Sequence, residues 1–124
     1  MKTYDCLIAG AGPIGLALAV ALQQHRIPYC LSGTLPQDRP NSPDLRTAAL
    51  FSGSIRLLDR LGVWPALRER AAPLAGIRIV DDTGGLLRAP EQLFAARDLG
   101  LDHIGYNIAN PDLVRALVNA LQSG

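Results

Sequence analysis

The amino-acid sequence predicts an α/β fold that opens with a βαβ unit and continues into a second, antiparallel sheet. Residues 4–9 form an apolar run typical of a buried parallel strand, residues 13–24 are rich in Ala and Leu like a packed helix, and residues 28–32 resemble a second strand. Between the first strand and the helix, the run from Gly10 to Gly15 has the spacing G-x-G-x-x-G. A glycine run in this context is typical of a Rossmann-like dinucleotide-binding turn.

Each glycine of this turn has a physical role. Gly10 lets the strand turn sharply into the helix, Gly12 lets the backbone approach a diphosphate, and Gly15 lets the helix pack closely on the strand. Pro13 suits the first helical turn, where its missing N–H would have no partner. The free N–H groups and the partial positive charge of the helix N-terminus favour a phosphate there. Unless this is an ordinary tight turn without a ligand, the predicted cofactor-binding residues are Gly10, Ala11, Gly12, Pro13, Ile14 and Gly15.

The middle of the chain is predicted to form a loop followed by two helices. Residues 33–43 contain three prolines among Asp, Asn and Ser, so they are expected to be a loop. Residues 52–61 are predicted as a helix, because their apolar residues cluster on one side, and Gly62 is a natural stop. A short helix is expected over residues 64–71, since a proline stands near its start.

An antiparallel hairpin that belongs to a second sheet is predicted next. Residues 76–81 resemble a strand, residues 82–85 (Asp-Thr-Gly-Gly) a tight turn, and residues 86–89 the returning strand. Residues 90–101 fit neither a helix nor a strand clearly, and residues 104–108 are predicted as a short strand. A nucleotide-binding fold needs several parallel strands and the chain supplies only about three candidates. Residues 1–124 are therefore predicted to be the N-terminal part of a larger enzyme.

The last predicted helix begins at Asn110. Asparagine is a favoured N-cap, and the proline and aspartate that follow it suit the first helical turn. Leu113, Leu117 and Leu121 then recur at four-residue spacing, which predicts the buried face of this helix.

Composition predicts a globular domain and excludes several function classes. The chain has 124 residues, of which 48% are hydrophobic and 19% charged, and its net charge of +1 gives no basic surface for nucleic acid. Cys6 and Cys30 lie in predicted strands and form no C-x-x-C pair, which favours reduced, buried thiols in a cytoplasmic protein. His25 and His103 stand far apart without further ligands, so no metal site is predicted. The apolar residues 7–22 are too few to span a membrane, since a spanning helix needs about 20 residues.

Further motifs make the chain resemble a known family. Residues 44–50 read Asp-Leu-Arg-Thr-Ala-Ala-Leu, a predicted helix is followed by Leu-Gly-Val-Trp64, and a strand leads into Asp-Asp-Thr-Gly84. Near the end, the run from Gly105 to Asn110 (Gly-Tyr-Asn-Ile-Ala-Asn) leads into a helix. With the glycine run, these motifs resemble the N-terminal third of the FAD-dependent aromatic hydroxylases, which are single-component flavoprotein monooxygenases. More narrowly, the chain is similar to the ubiquinone-biosynthesis hydroxylases.

The resemblance implies a cofactor, a reaction and site residues. FAD would be the cofactor, NAD(P)H the co-substrate, and the reaction the hydroxylation of a phenolic, polyprenylated ubiquinone precursor with O2. The turn from Gly10 to Gly15 would hold the FAD diphosphate, Arg46 would lie against phosphate or ribose oxygens, and Asn110 would lie near the ribityl chain. The alternatives are a solvated loop arginine at Arg46 and a helix cap at Asn110. No residue of the chain is expected to be catalytic, so this part alone is expected to be inactive.

One departure from the dinucleotide-binding pattern occurs at Gly33. Many such folds place an acid at the end of the second strand, where it binds the adenosine ribose. Asp38 or Asp44 could fold back to take that role, and Arg39 could instead bind the 2′-phosphate of NADP. An NAD(P)-binding module of another oxidoreductase is therefore one alternative. A non-catalytic fragment that self-associates through apolar surface is the other.

The resemblance also implies where the whole protein works. A polyprenyl substrate resides in lipid, so peripheral membrane contact is expected of an otherwise cytoplasmic protein, although no amphipathic anchor is visible. A homo-oligomer is compatible with the sequence, and no nucleic-acid partner is expected.

Overall fold

The computed structural model describes residues 1–35 and 43–124, which form a mixed α/β fold. In chain order the elements are β1 (Cys6–Ala9), α1 (Pro13–Gln24), β2 (Tyr29–Ser32), β3 (Thr47–Phe51), α2 (Ser52–Arg60), α3 (Trp64–Leu67), β4 (Ala72–Leu74), β5 (Gly76–Ile79), β6 (Gln92–Ala95), β7 (Gly105–Ala109) and α4 (Asn110–Ser123). Short 3₁₀ turns follow α3 over Arg68–Arg70 and β6 over Ala96–Leu99.

The opening βαβ unit forms as the sequence predicts. β1 and β2 pair in parallel, with Cys6 opposite Tyr29 and Ala9 opposite Ser32. α1 has the predicted bounds, whereas both strands begin later than predicted, at residues 6 and 29. Cys6 and Cys30 are free thiols in these strands. Both are only half-buried, so the expectation that they are buried is wrong.

The second sheet is antiparallel and has the strand order β3-β7-β4. β7 overlaps the short strand predicted over residues 104–108, and it pairs antiparallel with both neighbours, Thr47 lying opposite Ala109 and Leu74 opposite Gly105. The sequence pattern predicted neither β3 nor β4. β4 contains Pro73, which cannot donate to a ladder, and it accordingly lies at the edge of the sheet.

The predicted hairpin exists, but its returning strand is misplaced in the prediction. β5 pairs antiparallel with β6, with Gly76 opposite Ala95, whereas residues 86–89 form no strand. The reason is the Asp81 carboxylate, which accepts the N–H of Thr83 at 3.1 Å and the N–H of Ala89 at 2.8 Å. These bonds close a wide loop in place of the tight turn, and they hold the pKa of Asp81 below its usual range.

The main core lies between the helices and the β3-β7-β4 sheet. Leu16 from α1, Leu67 from α3 and Ile108 from β7 are almost completely buried, and the Trp64 ring meets the Tyr106 ring edge to face with centroids 5.2 Å apart. On α4, the predicted apolar face is confirmed: Leu113 and Leu117 are buried and Leu121 is packed against the same cluster.

α1 and α4 run in the same direction. The Gln23 amide near the end of α1 donates to the carbonyl of Leu121 near the end of α4 at 3.1 Å. The carboxyl ends of the two helices therefore lie together, and their earlier residues, including Leu16 and Leu113, belong to one buried cluster. Since both helices extend from this shared end, their N-termini point toward the same side of the molecule.

Within residues 1–35 and 43–124, no helix is long and apolar enough to cross a bilayer. The same part of the chain contains no cluster of His, Cys, Asp or Glu that could hold a metal ion.

Candidate cofactor-binding site

The glycine run forms a sharp connection between β1 and α1. Gly10 has φ +118°, a conformation that favours glycine, and its N–H donates to the carbonyl of Ser32 at 2.7 Å. Gly12 is extended (φ −80°, ψ 179°) and immediately precedes the helix. Its carbonyl accepts the N–H of Leu16 at 2.9 Å, which is the first bond of the helix. The turn therefore ends at the open N-terminus of α1.

Gly12 and Gly15 differ in what surrounds them, and the difference matches their predicted roles. A Cβ added to Gly12 would have no heavy atom within 4 Å, so the space beside this backbone is open. A Cβ added to Gly15 would collide with the carbonyl oxygen of Gly10 and lie 3.3 Å from Cγ2 of Ile8. Gly15 thus serves the packing of helix on strand, whereas Gly12 leaves room for a ligand.

The first turn of α1 offers hydrogen-bond donors beside this open space. The N–H groups of a helix's first turn have no carbonyl partner within the helix, and Pro13 at the start of α1 has no N–H at all. Ile14 and Gly15 therefore supply the donors of this turn. Within the turn Ala11 is buried, and in the first turn of α1 the Ile14 side chain is largely exposed. Open space, unpaired N–H groups and the positive end of a helix dipole together fit a diphosphate.

The end of β2 cannot supply the usual acid. A Cβ at Gly33 would lie 2.7 Å from the backbone nitrogen of Ala11, and Gly33 has φ +154°. The strand end is thus packed against the glycine turn, which leaves no room for a side chain. Asp38 and Arg39, the other residues considered for adenosine recognition, lie outside the described residues.

This packing predicts the outcome of restoring the acid. Gly33→Glu is expected to destabilise the fold by about 1–3 kcal/mol, because the new side chain forces the backbone apart at Ala11, and it is not expected to tighten FAD binding. Thermal unfolding and FAD titration of the full-length protein measure both effects. Thr34→Glu, which adds the same charge at the exposed next residue, is the control and is expected to stay within about 0.5 kcal/mol of the parent. Tighter FAD binding by Gly33→Glu would contradict the prediction.

Arg46 and Asn110 lie together around Asp44. Nε of Arg46 donates to Oδ1 of Asp44 at 2.8 Å and Nη2 donates to Oδ2 at 2.9 Å, which is a bidentate fork. The backbone N–H of Arg46 also donates to Oδ1 at 3.1 Å, and Nδ2 of Asn110 donates to Oδ2 at 3.4 Å. The N–H of Asn110 donates to the carbonyl of Arg46 at 3.0 Å, so the start of α4 is fixed to the residue that precedes β3.

The charges of this cluster stabilise each other. The side-chain and backbone hydrogen bonds from Arg46 hold the pKa of Asp44 well below its usual range, and the Asp44 carboxylate raises the pKa of Arg46. The guanidinium side chain is 80% exposed while the carboxylate side chain is 28% exposed. Asp44 therefore forms the inner part of the cluster and Arg46 its solvent-facing part.

The structure corrects the predicted cap at Asn110. Asn110 is the first residue of α4, Ala109 is the residue before it, and no side chain caps the helix. The Asn110 amide is instead directed to Asp44. Asp44 was not predicted from the sequence as the partner of Arg46. Residues two apart in an extended segment lie on the same face, so this spacing could have indicated the ion pair.

The glycine turn and the Arg46–Asn110 cluster lie on the same side of the molecule. α1 starts after Gly12 and α4 starts at Asn110, and these two helices run in the same direction from a shared carboxyl end. An open glycine turn at a helix N-terminus, with a second polar cluster on the same side, is typical of a dinucleotide-binding domain.

Comparison with known proteins gives the family. The chain belongs to the FAD-binding domain family, whose model matches residues 3–122, and this confirms the cofactor and the family expected from the sequence. The family match favours FAD over the NAD(P) alternative. The chain is 31% identical over 123 residues to 3-demethoxyubiquinol 3-hydroxylase of Escherichia coli K12, covering 96% of this chain and 30% of that protein.

A second curated relative is also a hydroxylase by name. Ubiquinone hydroxylase UbiL of Rhodospirillum rubrum is 32% identical over 122 residues, which cover 97% of this chain and 27% of that protein. The chain thus spans less than a third of the length of the curated relatives it matches. Their names identify a 3-demethoxyubiquinol hydroxylase and a ubiquinone hydroxylase.

Solved structures confirm the fold class. The fold matches p-nitrophenol 4-monooxygenase PnpA of Pseudomonas putida DLL-E4 with a TM-score of 0.66 and 22% identity, over 99% of this chain and 30% of that one. It matches the flavin-dependent monooxygenase PieE, solved with FAD and substrate, with a TM-score of 0.68 and 22% identity, over 98% of this chain and 23% of that one. Both confirm a mixed α/β fold of the flavin monooxygenase type.

Proposed function

We propose that this chain is the N-terminal part of the FAD-binding domain of a flavin-dependent monooxygenase that hydroxylates a phenolic ubiquinone precursor with NAD(P)H and O2. The observation that carries the proposal is the open space at Gly12 beside the donors of the first turn of α1. The names of the curated relatives support the substrate class. The use of NADH or NADPH as reductant rests on the resemblance to the hydroxylase family.

The proposed roles of the residues follow from their positions. The N–H groups of Ile14 and Gly15 bind the diphosphate, and the bare backbone of Gly12 lets it come close. Arg46 donates hydrogen bonds to oxygens of the cofactor, and the Asn110 amide orients its polar chain. Bound FAD would supply the redox and oxygen chemistry of the reaction. The chain's own residues hold the cofactor in place and set its orientation.

The proposal includes how the parent protein is organised. Residues 1–124 would form part of the cofactor domain, and the residues that bind the phenol and exclude water would lie elsewhere in the protein. We therefore expect no hydroxylation by the 124-residue chain alone. We also propose a cytoplasmic protein with peripheral membrane contact, because a polyprenylated substrate resides in lipid. Homo-oligomerisation is part of the same proposal, since several large apolar side chains are exposed, among them Leu86, Leu87 and Phe94.

The test is the colour and the activity of the natural full-length protein. We expect it to purify with a visible flavin spectrum, and to consume NADH or NADPH and O2 in step with hydroxylation of a demethoxyubiquinol carrying a short polyprenyl tail. A protein that remains colourless and takes up no FAD on dialysis would refute the cofactor role. A yellow protein that hydroxylates other phenols but no ubiquinone precursor would refute the substrate class alone.

A further inference from the structure

We propose that Asp44 is a positioning residue for the cofactor, which holds the Arg46 guanidinium and the Asn110 amide in one fixed arrangement. This inference rests on the proposed function, because it concerns how the same site is built. It adds a residue that makes no necessary contact with the cofactor and that acts through its neighbours.

Four hydrogen bonds meet at the Asp44 carboxylate. Asp44 accepts from Nε, Nη2 and the backbone N–H of Arg46, and from Nδ2 of Asn110. Two of these donors belong to Arg46's side chain and fix the plane of the guanidinium, since a bidentate fork allows little rotation. The fourth donor belongs to the first residue of α4. One side chain thus ties together two elements that are distant in the sequence.

Part of the Arg46 guanidinium remains available to a ligand. The fork uses Nε and Nη2 on one edge of the guanidinium, and Nη1 takes no part in it. Because the Arg46 side chain is 80% exposed, an unfixed arginine there would sample many rotamers. Fixing it in advance removes an ordering cost of about 0.5–1.5 kcal/mol from the binding step. Arg46 is therefore presented to a ligand in a prepared orientation.

A positioning role for Asp44 differs from a purely electrostatic one in its effect on FAD affinity. Asp44 is an anion beside a site for an anionic cofactor, and its charge by itself opposes binding. If Arg46 acted only as a positive charge, removal of the Asp44 charge would tighten FAD binding. If Asp44 positions the donors, its removal loosens binding despite the more favourable net charge. The two roles thus predict opposite signs for one measurement.

The experiment measures FAD affinity of the full-length protein and of its variants, by titrating apoprotein with FAD. In Asp44→Asn one of the two carboxylate oxygens becomes an NH2 group, so in either orientation of the amide the fork with Arg46 loses one of its two bonds. We expect FAD to bind roughly 10-fold more weakly, which corresponds to about 1.4 kcal/mol. Asp98→Asn removes the same charge from an exposed residue beside Arg97 and is expected to leave the affinity unchanged.

A double-mutant cycle distinguishes positioning from a general structural role. In an Arg46→Ala background, Asp44→Asn is expected to have little further effect on FAD affinity, because its main partner is gone. Arg46→Lys, which cannot form the fork, is expected to abolish the dependence on Asp44 in the same way. Equal or tighter binding by Asp44→Asn would overturn the proposal, and so would an undiminished loss in the Arg46→Ala background.

The FAD affinity of the unsubstituted full-length protein is measured first. If it binds no FAD, the proposed function fails before Asp44 is tested. If it binds FAD and Asp44→Asn binds equally well, only the role of Asp44 fails. Thermal unfolding of each variant accompanies the titrations, and the expected loss of affinity should occur without a matching loss of stability, because the cluster lies at the surface.

Discussion

Replacing Gly12 with valine is expected to give a full-length protein that folds normally but contains almost no flavin. A Cβ at this position meets no protein atom within 4 Å, so we expect the substitution to have little effect on the stability of the fold. The valine would instead occupy the space beside the first turn of α1, where the diphosphate is proposed to bind. We expect FAD affinity to fall by about 100-fold or more, which corresponds to about 3 kcal/mol.

Two further glycine variants make this result interpretable. Gly53→Val places the same side chain at another open position, since a Cβ at Gly53 also has no neighbour within 4 Å, and it should retain flavin. Gly15→Ala should instead lower the melting temperature, because its Cβ collides with the Gly10 carbonyl. The ratio of flavin to protein absorbance and the thermal unfolding curve are the measurements. A Gly12→Val protein that purifies fully yellow would contradict the proposed site.

Truncating Leu117 is expected to have the largest effect on stability. Leu117 is completely buried on α4, within the cluster that joins α1, α3 and the β3-β7-β4 sheet. Leu117→Ala leaves a cavity that the surrounding helices and strand cannot fill, and this should reduce the free energy of unfolding by about 2–5 kcal/mol. Denaturant unfolding of the full-length protein, followed by circular dichroism, measures the loss.

The matched control is a leucine outside the core. Leu99 is 70% exposed, so Leu99→Ala removes the same atoms and is expected to cost less than about 0.5 kcal/mol. Comparable losses for the two variants would show that α4 does not pack as described. Such a result would also remove the reason for placing the Asn110 cluster and the glycine turn on one side.

The parts of the fold that could be predicted are those fixed by local chemistry. The bounds of α1 follow from Gly12 before it, from Pro13 in its first turn and from its run of Ala and Leu. The parallel pairing of β1 and β2 follows, because a helix between two short apolar strands returns the chain in the same direction. Gly10 and Gly15 could be assigned roles from spacing alone, and the backbone and packing around them agree with those roles.

The parts that could not be predicted depend on distant partners. β3 (Thr-Ala-Ala-Leu-Phe) and β4 (Ala-Pro-Leu) are short and lack a clear strand pattern, and both form strands by pairing with β7, which lies between them. The tight turn expected after β5 is replaced by a wide loop, since the Asp81 side chain bonds to the backbone eight residues later at Ala89. Local propensity is a weak guide wherever tertiary partners decide the structure.

The candidate site shows the same division. The role of Gly12 could be predicted from the sequence, because it depends only on the absence of a side chain and not on a contact with a distant residue. Asp44 and Asn110 are separated by 66 positions, and nothing local indicates that they meet. Arg46 could be assigned only through resemblance to a family, since an exposed arginine is most often just solvated.

Because α1 and α4 run in the same direction, their helix dipoles are aligned. Each helix carries the equivalent of roughly half a positive charge at its start and half a negative charge at its finish, and two helices aligned in this way add their fields. At the negative pole, the Gln23 and Gln24 amides donate to the carbonyls of Leu121 and Leu61. The positive pole faces the glycine turn, so an approaching anion is drawn toward the side where the backbone is bare before any contact is made.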